Sequence, residues 1–425
     1  MIRLPYDKGI LECPLEAGNN VHILAPPSEH YQPKDSQEQI VRNAINNPIG
    51  SQPLSELAKG KKNIVIITSD HTRPVPSRIT MPIILEEIKK TNPDIKPTLL
   101  ISTGMHRPSS EEELLERHGQ AVLDQVNPIN HIATNIEDMT FLGILPSGGE
   151  LWINKLAAEA DLLISEGFIE PHFFAGFSGG RKSVLPGIAS RKTVLYNHNS
   201  TFLSNPYARA GELERNPIHK DMVWAAEQAK LAFILNVAIN GDKEVIHAVA
   251  GDPFKAHEEG CKFVKKLTGT KAVPADIVIS TNGGYPLDQN VYQAVKGMTA
   301  AELTAKPDAV IIMVAACTDG MGGRDFYHQL ADAKSPKEAM DKFLATPEEE
   351  TPMDQWESQI LARILLKHKV IMVADRRIAN YVRDMHMEYA ATIEDALVMA
   401  RKIKGNNASI TVIPDGVGII IKENT

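Results

Sequence analysis

The sequence predicts an α/β protein of two domains, each built on a mainly parallel sheet flanked by helices, with the active site in the interdomain cleft. Its 425 residues exceed the usual size of one domain. Short runs rich in β-branched residues alternate with segments whose apolar residues recur every three or four positions. This alternation is typical of parallel sheets whose strands are joined through helices.

Eight apolar runs predict strands, and most of them end in small, polar or charged residues. The runs are NIVIITSD ending at Asp70, TLLIST ending at Thr103, DLLISEG ending at Gly167, AFILNVAI from Ala232, DIVISTNGG ending at Gly284, AVIIMVAACTDG ending at Gly320, KVIMVAD ending at Asp375 and SITVIPDG ending at Gly416. Helices are predicted within ITMPIILEEIKK, EEELLERHG, DMVWAAEQAK, WESQILARILLKH and TIEDALVMARKI. Ligands bind beyond the carboxyl ends of parallel strands, so the polar strand ends predict the site.

The domain boundary is predicted in the segment KKLTGTKAVPAD at 265–276, where glycine, threonine and proline break the helical pattern. We expect a first, catalytic domain over residues 1–270. The last predicted strand, in ITVIPDG, fits either sheet, and we expect residues 408–425 to join the first domain. A second α/β domain is expected over 275–405, covering the site.

Composition excludes several classes of function. A formal net charge of −8 argues against nucleic-acid binding, which requires a basic face. Three widely spaced cysteines without a CxxC pair argue against a disulfide framework and a thiolate zinc site. The first residues form no signal-peptide-like segment, and the longest apolar run, from Ala309, is half a membrane span. We therefore expect a cytoplasmic protein with no membrane partner.

The stretch HFFAGFSGGRKSVLPG from His172 is similar to a phosphate-binding loop, because glycines precede a Lys-Ser pair at 182 and 183. Two departures argue against an ATP-type loop. Arg181 stands where the motif needs the freedom of glycine, and Pro186 would interrupt the helix that the motif opens. A glycine-rich turn with a solvated Lys182 is the plainer alternative.

Four histidines, His71, His106, His172 and His198, lie around the predicted strand ends in one half of the chain. Their spacing matches neither HExxH nor a Cys/His finger. A scattered metal site that combines some of them with Asp70 stays open at this point, and with it a metal-dependent hydrolase.

Candidate groups for binding an anionic substrate occur in two places. Arg73, in DHTRPVP, offers a planar guanidinium that binds a carboxylate through two parallel hydrogen bonds. In the predicted helix LDQNVYQAVKGM, Gln289, Gln293 and Lys296 fall on one face with Tyr292 beside them. The preceding STNGGYP segment directs the start of this helix towards the predicted site.

Five motifs between residues 70 and 302 carry a family resemblance. They are DHTRPVPS (70–77), GMHRPS (104–109), EGFIEPHFFAGFSGGRKSVLPGIASRKT (166–193), NHN (197–199) and STNGGYPLDQNVYQAVKGMTAAE (280–302). Together they resemble the nickel-dependent lactate racemase family, from LPYDK at 4–8 to PDGVG at 414–418. The glycine-lysine motif is the most specific of them.

The resemblance implies a cofactor, the nickel-pincer nucleotide (pyridinium-3-thioamide-5-thiocarboxylic acid mononucleotide), attached covalently to Lys182 in the first domain. His198 would be the protein ligand to nickel, and the pincer would supply the other ligands. Further cofactor contacts are implied for Asp70, Ser178, Gly179, Gly180 and Trp356. An anion nest formed by the serine and the two glycines would meet the cofactor's phosphate. Other proteins would have to build the cofactor, so maturation partners are implied.

The resemblance also implies the reaction, which is racemisation of lactate by hydride transfer through a pyruvate intermediate. His106 and His172 would be the two acid-base residues, one for each enantiomer, since an imidazole gives and takes protons near neutral pH. Arg73, Tyr292, Gln293 and Lys296 would bind the small 2-hydroxy acid. Three alternatives stay open: a racemase or epimerase of another 2-hydroxy acid with the same cofactor, a metal-dependent hydrolase, and a non-catalytic binding protein.

Overall fold

The computed structural model describes residues 1–18, 20–27 and 31–422, which divide into two compact units. The glycine-loop unit comprises Ser28–Asn197 and Pro206–Leu267. The C-terminal unit comprises Met1–Pro27, His198–Asn205 and Thr268–Thr425. Each unit holds a six-stranded sheet of mainly parallel strands with helices between them, so the predicted α/β class is confirmed.

The eight predicted apolar runs all form strands. In chain order the strands are β1 (Ile2–Tyr6), β2 (Gly9–Cys13), β3 (Val21–Ile23), β4 (Ile64–Ser69), β5 (Thr98–Ser102), β6 (Asn127–Asn130), β7 (Met139–Ile144), β8 (Glu150–Asn154), β9 (Leu162–Phe168), β10 (Pro171–His172), β11 (Gly176–Phe177), β12 (Leu231–Ile239), β13 (Val245–Gly251), β14 (Gly269–Lys271), β15 (Ala275–Thr281), β16 (Ala305–Val314), β17 (Lys369–Val373), β18 (Glu388–Ala390), β19 (Ile410–Ile413) and β20 (Ile420–Lys422).

The five predicted helical segments, and the segment LDQNVYQAVKGM, all contain helix. The helices are α1 (Gln37–Asn46), α2 (Leu54–Ala58), α3 (Ser77–Lys89), α4 (Glu111–His118), α5 (Gln120–Leu123), α6 (Lys155–Ala158), α7 (Arg191–Asn197), α8 (Ser200–Ser204), α9 (Pro217–Gln228), α10 (Lys255–Thr268), α11 (Val291–Thr304), α12 (Arg324–Ala331), α13 (Pro336–Ala345), α14 (Gln355–Leu365), α15 (Ala379–Asp384) and α16 (Ile393–Lys404).

The sheet of the glycine-loop unit has the strand order β13-β12-β9-β4-β5-β6. Its pairings are parallel except for β13, which runs antiparallel to β12. The central strand β4 is buried over its apolar residues because helices such as α3 cover the sheet. Since β9, β4 and β5 are neighbours and parallel, the loops that follow these three strands emerge side by side.

The sheet of the C-terminal unit has the order β18-β17-β16-β15-β19-β3, and all of its pairings are parallel. Apolar residues of β15, β16, β17 and β19 form its core together with α16 and the N-terminal hairpin β1-β2. Helix α11 follows β15 and packs on it, and α14 packs against α11.

The expected assignment of both chain ends to the first domain is wrong. Strand β19 pairs with β15, and β3 pairs with β19, so residues 1–27 and 408–422 lie in the C-terminal unit. An apolar run such as ITVI satisfies either parallel sheet equally well, and only the partners of its backbone hydrogen bonds decide between them. Among the described residues, no helix is both long and apolar enough to cross a membrane.

Candidate functional site

The loops after β4 and β5 bring Asp70 and His106 together. Asp70 is only 2% exposed, and its Oδ2 lies 2.7 Å from Nδ1 of His106. Its other oxygen, Oδ1, accepts hydrogen bonds from the amide and hydroxyl of Thr72, at 3.1 and 2.6 Å. The carboxyl group therefore fixes both the loop after β4 and the ring of His106.

Electrostatics define the proton position on His106. Burial raises the pKa of the Asp70 carboxyl, but the hydrogen bond and charge of His106 and the charge of Arg73 outweigh burial and lower this pKa to about 2. Asp70 is thus ionised at neutral pH, and a carboxylate only accepts hydrogen bonds. Nδ1 of His106 must therefore carry the proton that it shares with Asp70, which leaves Nε2 to exchange protons with a ligand.

Replacing Asp70 with asparagine tests this pair through stability. The folded-state pKa of Asp70 lies below its ordinary value of 3.8, so ionised Asp70 stabilises the fold above that value and the contribution is lost as the pH falls towards about 2. We expect Asp70→Asn to lower the free energy of unfolding by about 2 kcal/mol near pH 5, with a smaller difference near pH 3. Urea unfolding of both proteins at the two pH values measures this, and a difference independent of pH would contradict the pairing.

Arg73 shares the same small region. Its Nη1 lies 3.0 Å from the hydroxyl oxygen of Thr72, which in turn lies 3.4 Å from Nδ1 of His106. Arg117 of α4 holds the backbone around Arg73. Its guanidinium donates to the carbonyl of Arg73 at 2.5 Å and to the carbonyl of Val75 at 3.3 Å. A cationic group and an acid-base group therefore flank one hydroxyl.

The glycine motif forms a 3-10 turn over Gly180–Ser183 and does not open an α-helix, which agrees with the arguments against an ATP-type loop. Gly179 and Gly180 both have positive φ, 75° and 52°. The amide of Gly180 donates to Oδ1 of Asn236 on β12, at 2.7 Å. Lys182 lies in the turn, half-buried, with its Nζ 5.8 Å from the ring centre of Phe174.

Arg181, whose presence counted against a phosphate loop, has a structural role. Its side chain is 1% exposed and donates to the carbonyls of Ala175 and Phe177, each at 2.7 Å. Its Nε donates to Nδ1 of His219 at 2.9 Å. Burial, with the charge of Arg181, lowers the pKa of His219 to about 2, so this histidine is a neutral acceptor. The guanidinium therefore ties the glycine loop together from inside the protein.

The same packing makes Gly180 hard to replace. A Cβ at this position would lie 2.6 Å from Cγ of His257, which is buried and hydrogen-bonded to the carbonyl of Ser178 at 2.8 Å. We expect Gly180→Ala to reduce the free energy of unfolding by roughly 2 to 4 kcal/mol, through overpacking and backbone strain. Gly241→Ala is the matched control, since a Cβ there meets no atom within 4 Å. Chemical denaturation of both variants measures this, and equal stabilities would refute a close-packed loop.

Two further predicted residues lie in this region. His172, on β10, accepts a hydrogen bond from the amide of Ala175 through Nδ1 at 3.2 Å, and its ring stacks on Phe173. The hydroxyl of Ser178 donates to the carbonyl of Phe168 and accepts from the amide of Glu170, each at 2.9 Å. That hydroxyl proton is engaged within the loop, so its predicted contact with a phosphate stays a prediction.

A second group of predicted residues lies in the C-terminal unit. His198 is 5% exposed, and its ring meets Trp356 of α14 edge-on with a centroid distance of 5.4 Å. Nε1 of Trp356 donates to the hydroxyl of Tyr292 on α11 at 2.8 Å. Gln359 of α14 also donates to the carbonyl of Ser200, at 3.0 Å, so α14 fixes the short segment that carries His198.

The two remaining predicted residues are adjacent on α11. Nζ of Lys296 donates to Oε1 of Gln293 at 2.6 Å. Asn282, in the loop before the helix, accepts from the amide of Gly297 and donates to the carbonyl of Gln293, at 2.9 and 2.6 Å. This loop therefore holds the first turns of α11. Gln289, expected on the same helical face, precedes the helix.

The predicted scattered metal site is not formed within either unit. Among the described residues, no group of three or more His, Cys, Asp and Glu side chains is arranged to hold a metal ion. His71, one of its candidate ligands, instead has its Nδ1 3.2 Å from the hydroxyl of Ser109.

Sequence reasoning missed several residues that shape these groups. They are Thr72, Arg117, Asn236, His219 and His257. Thr72 lies within the DHTRP motif and could have been predicted, since a hydroxyl next to an arginine and an aspartate is a usual hydrogen-bonding partner. The others are distant in sequence from the residues that they hold, and no local pattern connects them.

Comparison with known proteins shows which family this chain belongs to. The Lactate racemase N-terminal domain model matches residues 6–211, and the Lactate racemase C-terminal domain model matches residues 270–421. The chain is 53% identical to the lactate racemase of Thermoanaerobacterium thermosaccharolyticum over 422 residues, and 53% identical to that of Lactiplantibacillus plantarum over 421 residues. In both comparisons 99% of each chain is covered.

Solved structures give the same result for the fold. The lactate racemase apoprotein from T. thermosaccharolyticum superposes with a TM-score of 0.94 at 52% identity, covering 99% of this chain and all of that one. A protein from Thermotoga maritima superposes with a TM-score of 0.67 at 19% identity, over 93% of this chain and all of that one. The second likeness concerns the fold alone.

Proposed function

Because the chain belongs to the lactate racemase family, we propose that it is an isomerase that interconverts D- and L-lactate. The observation that carries the proposal is the arrangement around the Thr72 hydroxyl, which lies 3.0 Å from the Arg73 guanidinium and 3.4 Å from the His106 ring. A 2-hydroxy acid carries its carboxylate and its hydroxyl on adjacent carbons. It therefore fits a cationic anchor placed beside an acid-base group.

In the glycine-loop unit, different residues bind the substrate carboxylate and transfer the hydroxyl proton. The guanidinium of Arg73 binds the carboxylate, and Arg117 keeps the Arg73 backbone in place. The Nε2 atom of His106 accepts the proton of the substrate hydroxyl, and Asp70 stabilises the imidazolium that results. His172 takes the same part for the opposite enantiomer, because a substrate that is bound through its carboxylate presents its hydroxyl in a different direction.

The nickel-pincer nucleotide belongs to this proposal, and the residues present fit it. Lys182 offers a primary amine in a tightly held turn, and His198 offers one buried imidazole. One histidine suits a metal whose other ligands arrive with the cofactor. When bound, the nucleotide supplies an acceptor and donor for the C2 hydride, so that no carbanion forms beside the carboxylate.

The residues of the C-terminal unit act on the same substrate in this proposal. Lys296 contributes a second positive charge to the carboxylate, and Gln293 orients the ammonium through their 2.6 Å hydrogen bond. Tyr292 and Trp356, which are hydrogen-bonded to each other, favour a small substrate. Proteins that build the cofactor are the expected partners, and another small 2-hydroxy acid is the alternative substrate.

The proposal is tested on chain produced together with cofactor-building enzymes. Intact mass should show one covalent adduct, elemental analysis about one nickel per chain, and a chiral assay should show conversion of either lactate enantiomer. If the chain carries the adduct but converts another 2-hydroxy acid and not lactate, that acid is the substrate. If the chain carries no adduct and hydrolyses substrates when a divalent metal is added, the racemase proposal is wrong and the metal-dependent hydrolase is favoured.

A further inference from the structure

Glu357 is a buried carboxyl without the contacts that such groups have elsewhere in this protein. It lies in the first turn of α14 with no exposed surface, and neither side-chain oxygen has a hydrogen-bond partner among the described residues. By contrast, the buried Glu166 accepts from the hydroxyls of Thr68 and Ser77. An unsatisfied buried carboxyl destabilises the fold, so its presence calls for an explanation.

The packing of α14 on α11 places Glu357 near Lys296. Two contacts set the register of these helices: Trp356 with Tyr292 at 2.8 Å, and Arg363 with Glu302 at 2.7 Å. Glu357 follows Trp356 directly, and Lys296 follows Tyr292 by about one helical turn. The positive charge of Lys296 lowers the pKa of the Glu357 carboxyl, which agrees with this register.

Charged groups around Glu357 come from two elements. Burial raises its pKa to about 8, with the positive charge of Lys296 on α11 opposing and the negative charge of Asp354 at the start of α14 assisting. Asp354 has its own pKa raised to about 6 by burial and by Asp325 of α12. Among the described residues, no charged group of α8 or α13, which also pack on α14, acts on Glu357.

We propose that Glu357 is a positioning residue that acts through Lys296 and determines how much positive charge Lys296 offers to the substrate carboxylate. The inference rests on the proposed function, which gives Lys296 that role. A protonated Glu357 is neutral and leaves the ammonium charge to the substrate. An ionised Glu357 neutralises the ammonium and repels a second carboxylate nearby. Substrate binding therefore favours the protonated form, and above neutral pH it requires the uptake of a proton.

The test compares KM and kcat of wild-type and Glu357→Gln holoenzymes between about pH 6.5 and pH 9.5. For the wild type, KM should rise above about pH 8, approaching tenfold per pH unit. Because glutamine has the same shape and never ionises, Glu357→Gln should keep a low KM across this range. A variant whose KM rises as in the wild type would overturn the inference, since the titrating group would then be another one.

Glu302→Gln is the matched control for a purely structural effect. Glu302 is a buried carboxyl on the facing helix, paired with Arg363 and with Lys367 at 2.9 Å. We expect this variant to lower the melting temperature while keeping the wild-type rise of KM with pH. The same flattened KM profile in both variants would show a general effect of the helix pair, and the specific role of Glu357 would be refuted.

Calorimetry on the unaltered holoenzyme gives a second measurement that does not depend on a variant. Racemic lactate is the ligand, because it undergoes no net conversion. Titrations in two buffers of different ionisation enthalpy should show proton uptake on binding at about pH 8.5, approaching one proton per site, and little at pH 6.5. Absence of uptake overturns the inference. Failure of the wild type to racemise lactate would overturn the proposed function instead, so the two failures are distinguishable.

Discussion

Lys182→Ala should yield a chain without the covalent adduct, even when it is produced together with cofactor-building enzymes, and racemase activity should fall by at least about a thousandfold. The reason is chemical, since attachment through a thioamide needs a primary amine at this point of the loop. Alanine removes the side chain beyond Cβ and should leave the turn in place, because the turn is held by the hydrogen bonds of Arg181 to the carbonyls of Ala175 and Phe177. Intact mass and a chiral assay measure the two effects.

Two control variants test whether the adduct depends on the primary amine of Lys182, and not on its positive charge or on the reactivity of any exposed lysine. Lys182→Arg keeps a positive charge in the turn without a primary amine, and it should lose the adduct as completely as alanine. Lys192→Ala removes an exposed lysine ten residues further on, which is paired with Glu150 at 2.9 Å, and should keep both adduct and activity. An adduct of unchanged mass on Lys182→Ala would place the attachment at another residue.

The strands and helices were predictable because each one is determined by the residues that form it. Runs such as IVIIT of β4 are β-branched on both faces, and only a strand buried on both sides uses such a run. Segments such as α16, capped by Thr392 and ending before Gly405, carry helix signals at both ends. Local chemistry sets these features, so one sequence is sufficient.

The order of the strands was not predictable in the same way. Strand β19 was assigned to the wrong unit because nothing in its four residues, ITVI, specifies a neighbour. Its partner β3 comes from the other end of the chain, nearly 400 residues away. Pairings of this kind depend on the backbone hydrogen bonds of the whole sheet, and apolar periodicity does not encode them.

The candidate site shows the same division. His106 and His172 were predicted because each lies in a polar motif at a predicted strand end, where side chains of a packed core are usually apolar. Their partners were not found. Asp70 was expected to contact the cofactor or to bind a metal, whereas it holds His106, 36 residues further on. Glu357 went unnoticed beside Trp356, because a glutamate in a helix is exposed far more often than buried.

Removing either predicted acid-base histidine should slow racemisation in both directions. We expect His106→Ala and His172→Ala each to reduce the rate by about a hundredfold to ten-thousandfold, the usual contribution of proton transfer by a positioned side chain. Equal losses in the two directions are a thermodynamic requirement, because enantiomers have the same free energy in water. Any variant must keep the ratio of forward to reverse kcat/KM at its wild-type value. His328→Ala, in an exposed histidine of α12, should retain full activity.

Single-turnover experiments distinguish the two histidines where steady-state rates do not. Stoichiometric holoenzyme is mixed with one lactate enantiomer, and pyruvate is measured after quenching. If each histidine accepts the hydroxyl proton of one enantiomer, then His106→Ala should form pyruvate from only one of them and His172→Ala only from the other. Asp70→Asn should follow the pattern of His106→Ala in weaker form, because Asp70 holds the His106 ring at 2.7 Å. Loss of pyruvate from the same enantiomer in both histidine variants would show that they serve one proton transfer in sequence, and the assignment of one histidine to each face would be wrong.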